Sequence, residues 1–390
     1  MKKTKKCANL PNPVLSDDSI CPNALFLDNA LFLDIETTGF SPLKNRLYLI
    51  GCAWFADTQK TPAGPAQQPE CSHAYSHIII EQFFAETQEE EPLLLDALQD
   101  LLNLFDTVIT FNGSLFDLPF LKESAARLGT DFSCEHLHHA DLYRLCHSLR
   151  HVFRLQNYKQ KTLEHFLGIE RKDTYSGGEL VKLYQKYTKH PDENLLHLLL
   201  QHNYEDVLGM TELICLYAYD AFFQGGFTPV SCEQADCRSL DGANGRELLI
   251  DCRLHYPLPA AISCHNSICY LHAEKERASF RIPLFSGTLK YFYPDYKNYY
   301  YLPTEDTAVH KSVAAFVDKS CRQKAKAATC YTKKEGVFLP QYEALSLPAF
   351  FKEYKDRISY FEWKNGDSGD EDMLKRYCMH LLDVLKSGLA

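Results

Sequence analysis

Leu33-Asp34-Ile35-Glu36-Thr37-Thr38-Gly39-Phe40 is the stretch on which the reading of this chain turns. It alternates like a β-strand, where successive side chains point to opposite faces, so Asp34 and Glu36 share one face and Leu31, Leu33 and Ile35 the other. Two carboxylates side by side repel unless something positive sits between them, and a hard divalent cation such as Mg²⁺ or Mn²⁺ supplies that charge. An exposed acidic strand end would carry the same residues, so the pair alone leaves both readings open. Just upstream, Ala24-Leu25-Phe26-Leu27-Asp28 is repeated as Ala30-Leu31-Phe32-Leu33-Asp34. Only the second copy carries the downstream Glu and the Thr-Thr-Gly turn. Asp28 is therefore assigned to a surface or strand end, and Asp34 to the site.

A chain of 390 residues exceeds one ordinary core, so two domains are expected. Its 45% hydrophobic and 24% charged residues are those of a globular protein. The basic start Met1-Lys2-Lys3-Thr4-Lys5-Lys6 is followed by no apolar run. No secretory signal is read, and a cytoplasmic protein is expected. No stretch approaches the roughly 20 apolar residues of a membrane span, so no membrane partner is expected. Fifteen cysteines, an odd number, read as reduced thiols. Cys232-x4-Cys237 and Cys264-x4-Cys269 are spaced more loosely than a zinc knuckle and lie in strand-like segments.

The net charge of −10 is unevenly distributed. From Leu142 to Lys172, Arg144, Arg150, Arg154, Lys159, Lys161, Arg171 and Lys172 face only Glu164 and Glu170. From His310 to Lys334, Lys311, Lys319, Arg322, Lys324, Lys326, Lys333 and Lys334 face Asp318 alone. Both stretches suit contact with phosphates, and both suit ordinary solvated surfaces.

Along the chain, residues 1–24 read as a flexible leader. Leu25 to Glu36, Arg46 to Phe55 and Ser76 to Phe84 read as an antiparallel meander, with a long loop at Pro62, Gly64, Pro65 and Pro69. Pro92 to Phe105 has helical spacing, Thr107 to Phe111 is a short buried strand, Leu137 to Leu142 ends another, and Asp192 to Tyr219 is a long helix. Strands followed by helix-strand alternation give an α/β class, a mixed sheet flanked by helices over 25–225. A C-terminal α+β domain is expected over 230–390. Its strands are Leu248 to Leu254, Ile262 to His272, Ala278 to Pro283 and Tyr299 to Leu302, and its helices His310 to Ala327 and Asp372 to Lys386. Its tyrosines, Tyr291 to Tyr301, suit either an aromatic core or base stacking.

Two further segments carry acids. Thr110 to Phe120 leaves a buried strand, turns at Asn112-Gly113 and enters a helix near Asp117, which caps that helix or belongs to a site at the sheet's end. In Gln201-His202-Asn203-Tyr204-Glu205-Asp206, His202 and Asp206 are i and i+4 and share a helical face with Leu195, Leu199, Gly209 and Leu213. An acid and an imidazole in that stripe need partners. Glu205 lies about 100° away and is assigned to solvent. Asp141 reads as a helix cap or a supporting group and is left out of the set.

Taken in order, Asp34-x-Glu36, Asn112-Gly113-x-x-Phe116-Asp117 and Asn203-Tyr204-Glu205-Asp206 resemble motifs I, II and III of the DEDD 3′-5′ exonuclease superfamily. Leu155-Gln156-Asn157-Tyr158, Leu163-Glu164-x-x-Leu167-Gly168, the Arg171 segment and Ser176-Gly177-Gly178-Glu179 resemble its YprB-type, ribonuclease-H-like branch. The resemblance covers about 25 to 220. It implies a ribonuclease-H-like fold and phosphodiester hydrolysis with two Mg²⁺ or Mn²⁺ ions. Asp34, Glu36, Asp117 and Asp206 match the metal-binding acids, Asp34 bridging, Glu36 and Asp206 completing the water-activating site and Asp117 holding the second ion.

One residue departs from the pattern. The superfamily carries Tyr four residues before the last Asp or His five before it, whereas here His202 stands four before. It is assigned over Tyr204 as general base or water-orienting residue. The expected substrate is a single-stranded nucleic-acid 3′ end against Thr37, Thr38 and Gly39, with Asn112 and Gly113 lining the pocket and the 142–172 tract on the trailing phosphates. A non-catalytic nucleic-acid-binding adaptor and a ribonuclease-H-type endonuclease are the alternatives. Protein partners are not legible.

Overall fold

The computed structural model describes residues 1–9, 27, 29–56, 77–238, 244–342, 344–364 and 367–389. The internal contacts divide it into two units, residues 1–150, 154–221 and 256–260, and residues 151–153, 222–255 and 261–390.

Strands β1 (Lys2–Asn9), β2 (Ala30–Thr37), β3 (Leu47–Ala56) and β4 (His77–Phe84) build the first unit together with helix α1 (Glu91–Leu102), β5 (Thr107–Thr110), α2 (Asp117–Leu128) and β6 (His138–Asp141). Helices α3 (Leu142–Ser148), α4 (Gln160–Phe166), α5 (Gly177–Lys189) and α6 (Glu193–Leu213) follow. The sheet runs β1-β4-β3-β2-β5-β6. β2 pairs antiparallel with β3 and parallel with β5, and β5 pairs parallel with β6. The expected meander and mixed sheet are both present.

The alternation in β2 sorts the layers. Leu31, Leu33 and Ile35 join a core with Leu94 and Leu98 of α1 and Phe120 and Leu121 of α2. On a second core, Tyr48, Leu49 and Phe84 pack with Leu180 and Tyr184 of α5 and Leu195 and Leu199 of α6. Each buried aliphatic or aromatic side chain contributes about 1.5–3 kcal/mol of transfer free energy. α6 crosses β2, β3 and β4, and Asp192 caps it by accepting the N–H groups of Asn194 and Leu195 at 2.9 and 3.1 Å.

The basic start is a strand rather than part of a leader. β1 pairs antiparallel with β4 along its whole length. Glu81 of β4 is buried and takes Lys3 at 2.5 Å and Lys5 at 3.4 Å, so the lysines supply the counter-charge that a buried carboxylate requires. Lysines also suit an edge strand, where they discourage further pairing. Residues 10–24, Asp28 and the loop at Pro62 to Pro69 lie outside the described residues.

β7 (Phe227–Arg238), β8 (Asn244–His265), β9 (Tyr270–Phe292), β13 (Tyr331–Gln341) and β14 (Ser359–Glu362), which apart from residues 256–260 of β8 belong to the second unit, form one sheet in the order β14-β13-β9-β8-β7. β10 (Tyr299–Leu302), β11 (Thr307–His310) and β12 (Gln323–Lys324) form another, and α7 (Glu371–Ser387) closes the chain. The strand expected at Ile262 to His272 is broken by a turn. Asn266 accepts the N–H groups of Ile268 and Cys269 at 3.0 Å, an Asx turn that joins β8 to β9. The helix expected over His310 to Ala327 is one turn, Lys311–Ala314. Asp318 accepts the Ser320 N–H at 2.8 Å, a local side-chain bond that competes with helix propagation.

Candidate functional site

Asp34 and Glu36 leave β2 on the face opposite Leu33 and Ile35, the face crossed by α6. Asp34 stands opposite Gly51 of β3. A Cβ at Gly51 would come within 2.2 Å of the Asn203 side-chain oxygen, so glycine leaves the space into which Asn203 reaches from α6. Asn203 donates to Asp34 Oδ2 at 2.8 Å and accepts from Gln82 at 2.8 Å. A glycine inside an apolar strand signals such a close approach, and this is the sequence cue to a residue that motif reading passed over.

Asp117 opens α2 and accepts the Ile35 N–H at 3.2 Å. A third segment of chain thereby places its carboxylate beside the two acids of β2. The turn before it is tied down by Asp141, which accepts the N–H groups of Asn112 at 2.8 Å and Ser114 at 3.1 Å while capping α3 through Tyr143 at 3.1 Å. Asn112 sits in the left-handed region, φ 66°, which asparagine tolerates. Asp141 thus acts as a cap and as a buttress of the Asn112-Gly113 turn.

His202 and Asp206 share the α6 face that looks at Glu36. His202 Nε2 lies 3.1 Å from Asp206 Oδ2 and 3.3 Å from Glu36 Oε1. Ligand atoms of Glu36, His202 and Asp206 lie within 4.8 Å of one another. Behind them the segment Arg171 to Tyr175 closes the site. Arg171 donates to Asp206 Oδ1 and to Glu164 at 3.0 and 3.2 Å, and Asp173 Oδ2 meets His202 Nδ1 at 2.6 Å. Gly209 makes room for the buried Glu164, whose oxygen would lie 2.0 Å from a Cβ at that position. Glu205, assigned to solvent, instead accepts the N–H groups of Lys172 and Asp173 at 3.1 and 2.8 Å. Two unpaired backbone donors in a closing loop outweigh its helical angle.

The electrostatics identify the cluster as a place that lacks positive charge. Burial, with the charges of Asp206, Glu36 and Asp117, pushes the Asp34 carboxyl well above its ordinary range. Burial lifts Glu36 to about 8 against the pull of His202, and Asp206 and Asp117 add to the lift. Burial lifts Asp117 to about 7 despite its backbone hydrogen bonds. Burial would raise Asp206 too, but the His202 hydrogen bond and Arg171 bring it below its usual value. His202 is lowered by burial yet raised overall to about 9 by Asp206, Glu36 and Asp173. Three proton-retaining carboxyls on one small patch are costly, and a divalent cation would offset that cost with the hard oxygen donors it favours. The donor set therefore fits such an ion.

The expected substrate-contacting residues form two neighbouring turns. Thr37 is buried and donates to Gly39 O at 2.8 Å, and Thr38 Oγ1 accepts the Arg46 N–H at 2.8 Å, so both hydroxyls serve their own turn. Gly113 packs against Thr110, where a Cβ would come within 2.4 Å. The ring of Phe40, 89% exposed, meets Phe116 edge-on at 6.0 Å and links the two turns.

Residues 31–217 match RNase_H_2, a family of the RNase_H superfamily. The first unit is accordingly a ribonuclease-H-like mixed sheet with flanking helices, and a further sheet domain follows it. No curated protein matches the chain in sequence. Among solved structures, it is similar to the family B DNA polymerase from the hyperthermophilic archaeon Pyrobaculum calidifontis, with 14% identity, a TM-score of 0.35 and 70% of this chain against 37% of that one. It is similar to E. coli exonuclease I in complex with a dT13 oligonucleotide, with 14% identity, a TM-score of 0.28 and 58% against 55%. It is also similar to a product-bound exonuclease I, with 14% identity, a TM-score of 0.31 and 64% against 58%. The chain spans between about a third and three fifths of the length of these structures.

Proposed function

We propose that the first unit is a divalent-metal-dependent 3′-5′ exonuclease of the DEDD kind that hydrolyses single-stranded DNA or RNA ends. The observation that carries this reading is the convergence of Asp34, Glu36, Asp117 and Asp206 from β2, α2 and α6 on one patch, with the acids of β2 and α2 pushed toward their protonated forms. These four acids would hold two Mg²⁺ or Mn²⁺ ions. When bound, such ions supply the positive charge that stabilises a phosphodiester under attack.

The chain's own residues do the rest. Once the charge of the acids is offset, His202 no longer keeps the proton that they stabilise on it, and its Nε2, which faces Glu36 and Asp206, takes one proton from the attacking water. The water oxygen forms a bond to phosphorus, the bond from phosphorus to the 3′ oxygen breaks, and that oxygen takes a proton from solvent. Arg171 holds Asp206 ionised, and Asn203 orients Asp34. Thr37 to Phe40 and Asn112 to Gly113 receive the terminal nucleotide, whose base has the exposed Phe40 ring as a stacking surface.

The test is incubation of wild-type protein and Asp34→Asn with 5′-labelled single-stranded DNA and RNA in Mn²⁺, Mg²⁺ or EDTA. A metal-dependent ladder shortening from the 3′ end, absent in the variant, is expected. Internal fragments would instead identify an endonuclease, and binding without cleavage an adaptor.

A further inference from the structure

The segment Arg171 to Tyr175 lies outside the acid set, yet one of its side chains ends on the imidazole that the reaction needs. We propose that Asp173 is a positioning residue for His202. Its carboxylate takes the Nδ1 hydrogen and so aims Nε2 at the edge shared by Glu36 and Asp206. The proposal rests on the hydrolytic reading above and names the group that makes its general base directional.

The geometry supports this at each atom. Asp173 Oδ2 lies 2.6 Å from His202 Nδ1, and its side chain is 2% exposed. The same oxygen accepts from Lys161 at 2.8 Å, and Oδ1 accepts the Tyr175 N–H at 3.1 Å. The Asp173 N–H in turn donates to Glu205 Oε2 at 2.8 Å, which fastens the segment to α6, the helix that carries His202. The carboxylate is therefore held by two donors, and its backbone by a third contact, before it meets the ring. Contacts within α6 reach only the Nε2 side, through Asp206 one turn on, and leave the ring free to flip and present carbon. A bond at Nδ1 removes that freedom and assigns the ring hydrogen to Nδ1, so that Nε2 carries the lone pair whenever the ring is neutral. A role as turn cap alone would account for Tyr175 but not for an imidazole 29 residues along the chain.

The experiment is a double-mutant cycle on the full chain with Asp173→Asn, His202→Gln and the double variant, using kcat and KM on a labelled single-stranded oligonucleotide. It is paired with ¹⁵N-histidine spectra of the metal-free proteins. Asp173→Asn is expected to lower kcat 10–100-fold with KM unchanged. In the His202→Gln background it should cause no further loss, because both changes remove one function. The spectra should show a strongly downfield His202 Nδ1 proton in wild type that vanishes in Asp173→Asn. Asp173→Glu keeps the charge but displaces the carboxylate, and should fall between the two; matched melting temperatures exclude unfolding as the cause. Multiplicative losses, a pure KM effect, or an unchanged Nδ1 signal in Asp173→Asn would overturn the inference. A wild-type protein inert on every nucleic-acid end would overturn the hydrolytic reading, and the inference with it.

Discussion

Two stretches of this chain have nearly the same excess of positive charge and commit part of it to different kinds of partner. In the 142–172 tract, Arg144, Arg150, Lys159 and Lys172 are exposed, Arg171 turns inward, and Lys161, itself exposed, ends on the buried Asp173 carboxylate. Arg171 is spent on Glu164 and Asp206, and Lys161 on Asp173 and the Tyr175 carbonyl at 2.8 Å each. In the 310–334 tract, Lys333 pairs with Asp306 and Lys334 with Glu362, but Lys311, Lys319, Lys324 and Lys326 are exposed and have no ion-pair partner among the described residues. Arg322 stacks on Tyr300 at 4.9 Å. Counting charges along a sequence measures an excess of cations. Whether that excess faces water or a buried acid depends on what the chain packs against it. Lys161, expected on the trailing phosphates, also holds the segment behind the acids.

The largest effect that could break this comparison is at Arg171. Replacing it by Met leaves Glu164 buried and Asp206 without its cation, and the expected loss is about 3–5 kcal/mol, read by urea denaturation. A loss below about 1 kcal/mol would mean that Arg171 is no more committed than the exposed lysines of the 310–334 tract.

Metal and pH come next. Without metal, Asp34, Glu36, Asp117 and His202 all hold their protons more tightly folded than unfolded. The folded state therefore binds more protons across the window from about pH 4 to 9, and stability falls as pH rises through it. Melting in EDTA should show that fall. Mn²⁺ at a hundredfold excess over its Kd should restore about 2.7 kcal/mol, measured near neutrality. A flat EDTA profile would contradict the clustering of these groups.

Gly51→Ala should cost about 1–3 kcal/mol and weaken metal binding as Asn203 is driven off Asp34, which calorimetry on the variant would read.

The smallest stability effect is expected for the exposed lysines of the 310–334 tract. Changing Lys311, Lys319, Lys324 and Lys326 to Ala should leave stability within about 0.5 kcal/mol. The salt slope of single-strand binding should flatten by about 0.7 for each phosphate contact removed. Lys161→Ala should leave that slope unchanged. A slope change at Lys161 and none in the quadruple variant would invert the comparison.

Local periodicity carried much of the reading. Asp34 and Glu36 share a face because a strand alternates, and His202 and Asp206 share one because a helix repeats every 3.6 residues. Asp117 was legible from the strand-turn-helix pattern around Asn112 and Gly113. Glu205 was misread because helical angle says nothing about a loop that later settles over it. The lysines of β1 looked like a leader because the buried Glu81 that recruits them lies some 75 residues on.

What the sequence determined by itself is the alternation, the turns and the i, i+4 spacings, since backbone geometry sets these within a few residues. Only the tertiary structure decided that Asn203 enters the gap at Gly51, that Arg171 and Asp173 grip Asp206 and His202, and that Asp141 braces the Asn112 turn. These choices belong to packing, because a buried charge takes whichever partner the assembled chain brings within reach, and nothing in local spacing names it.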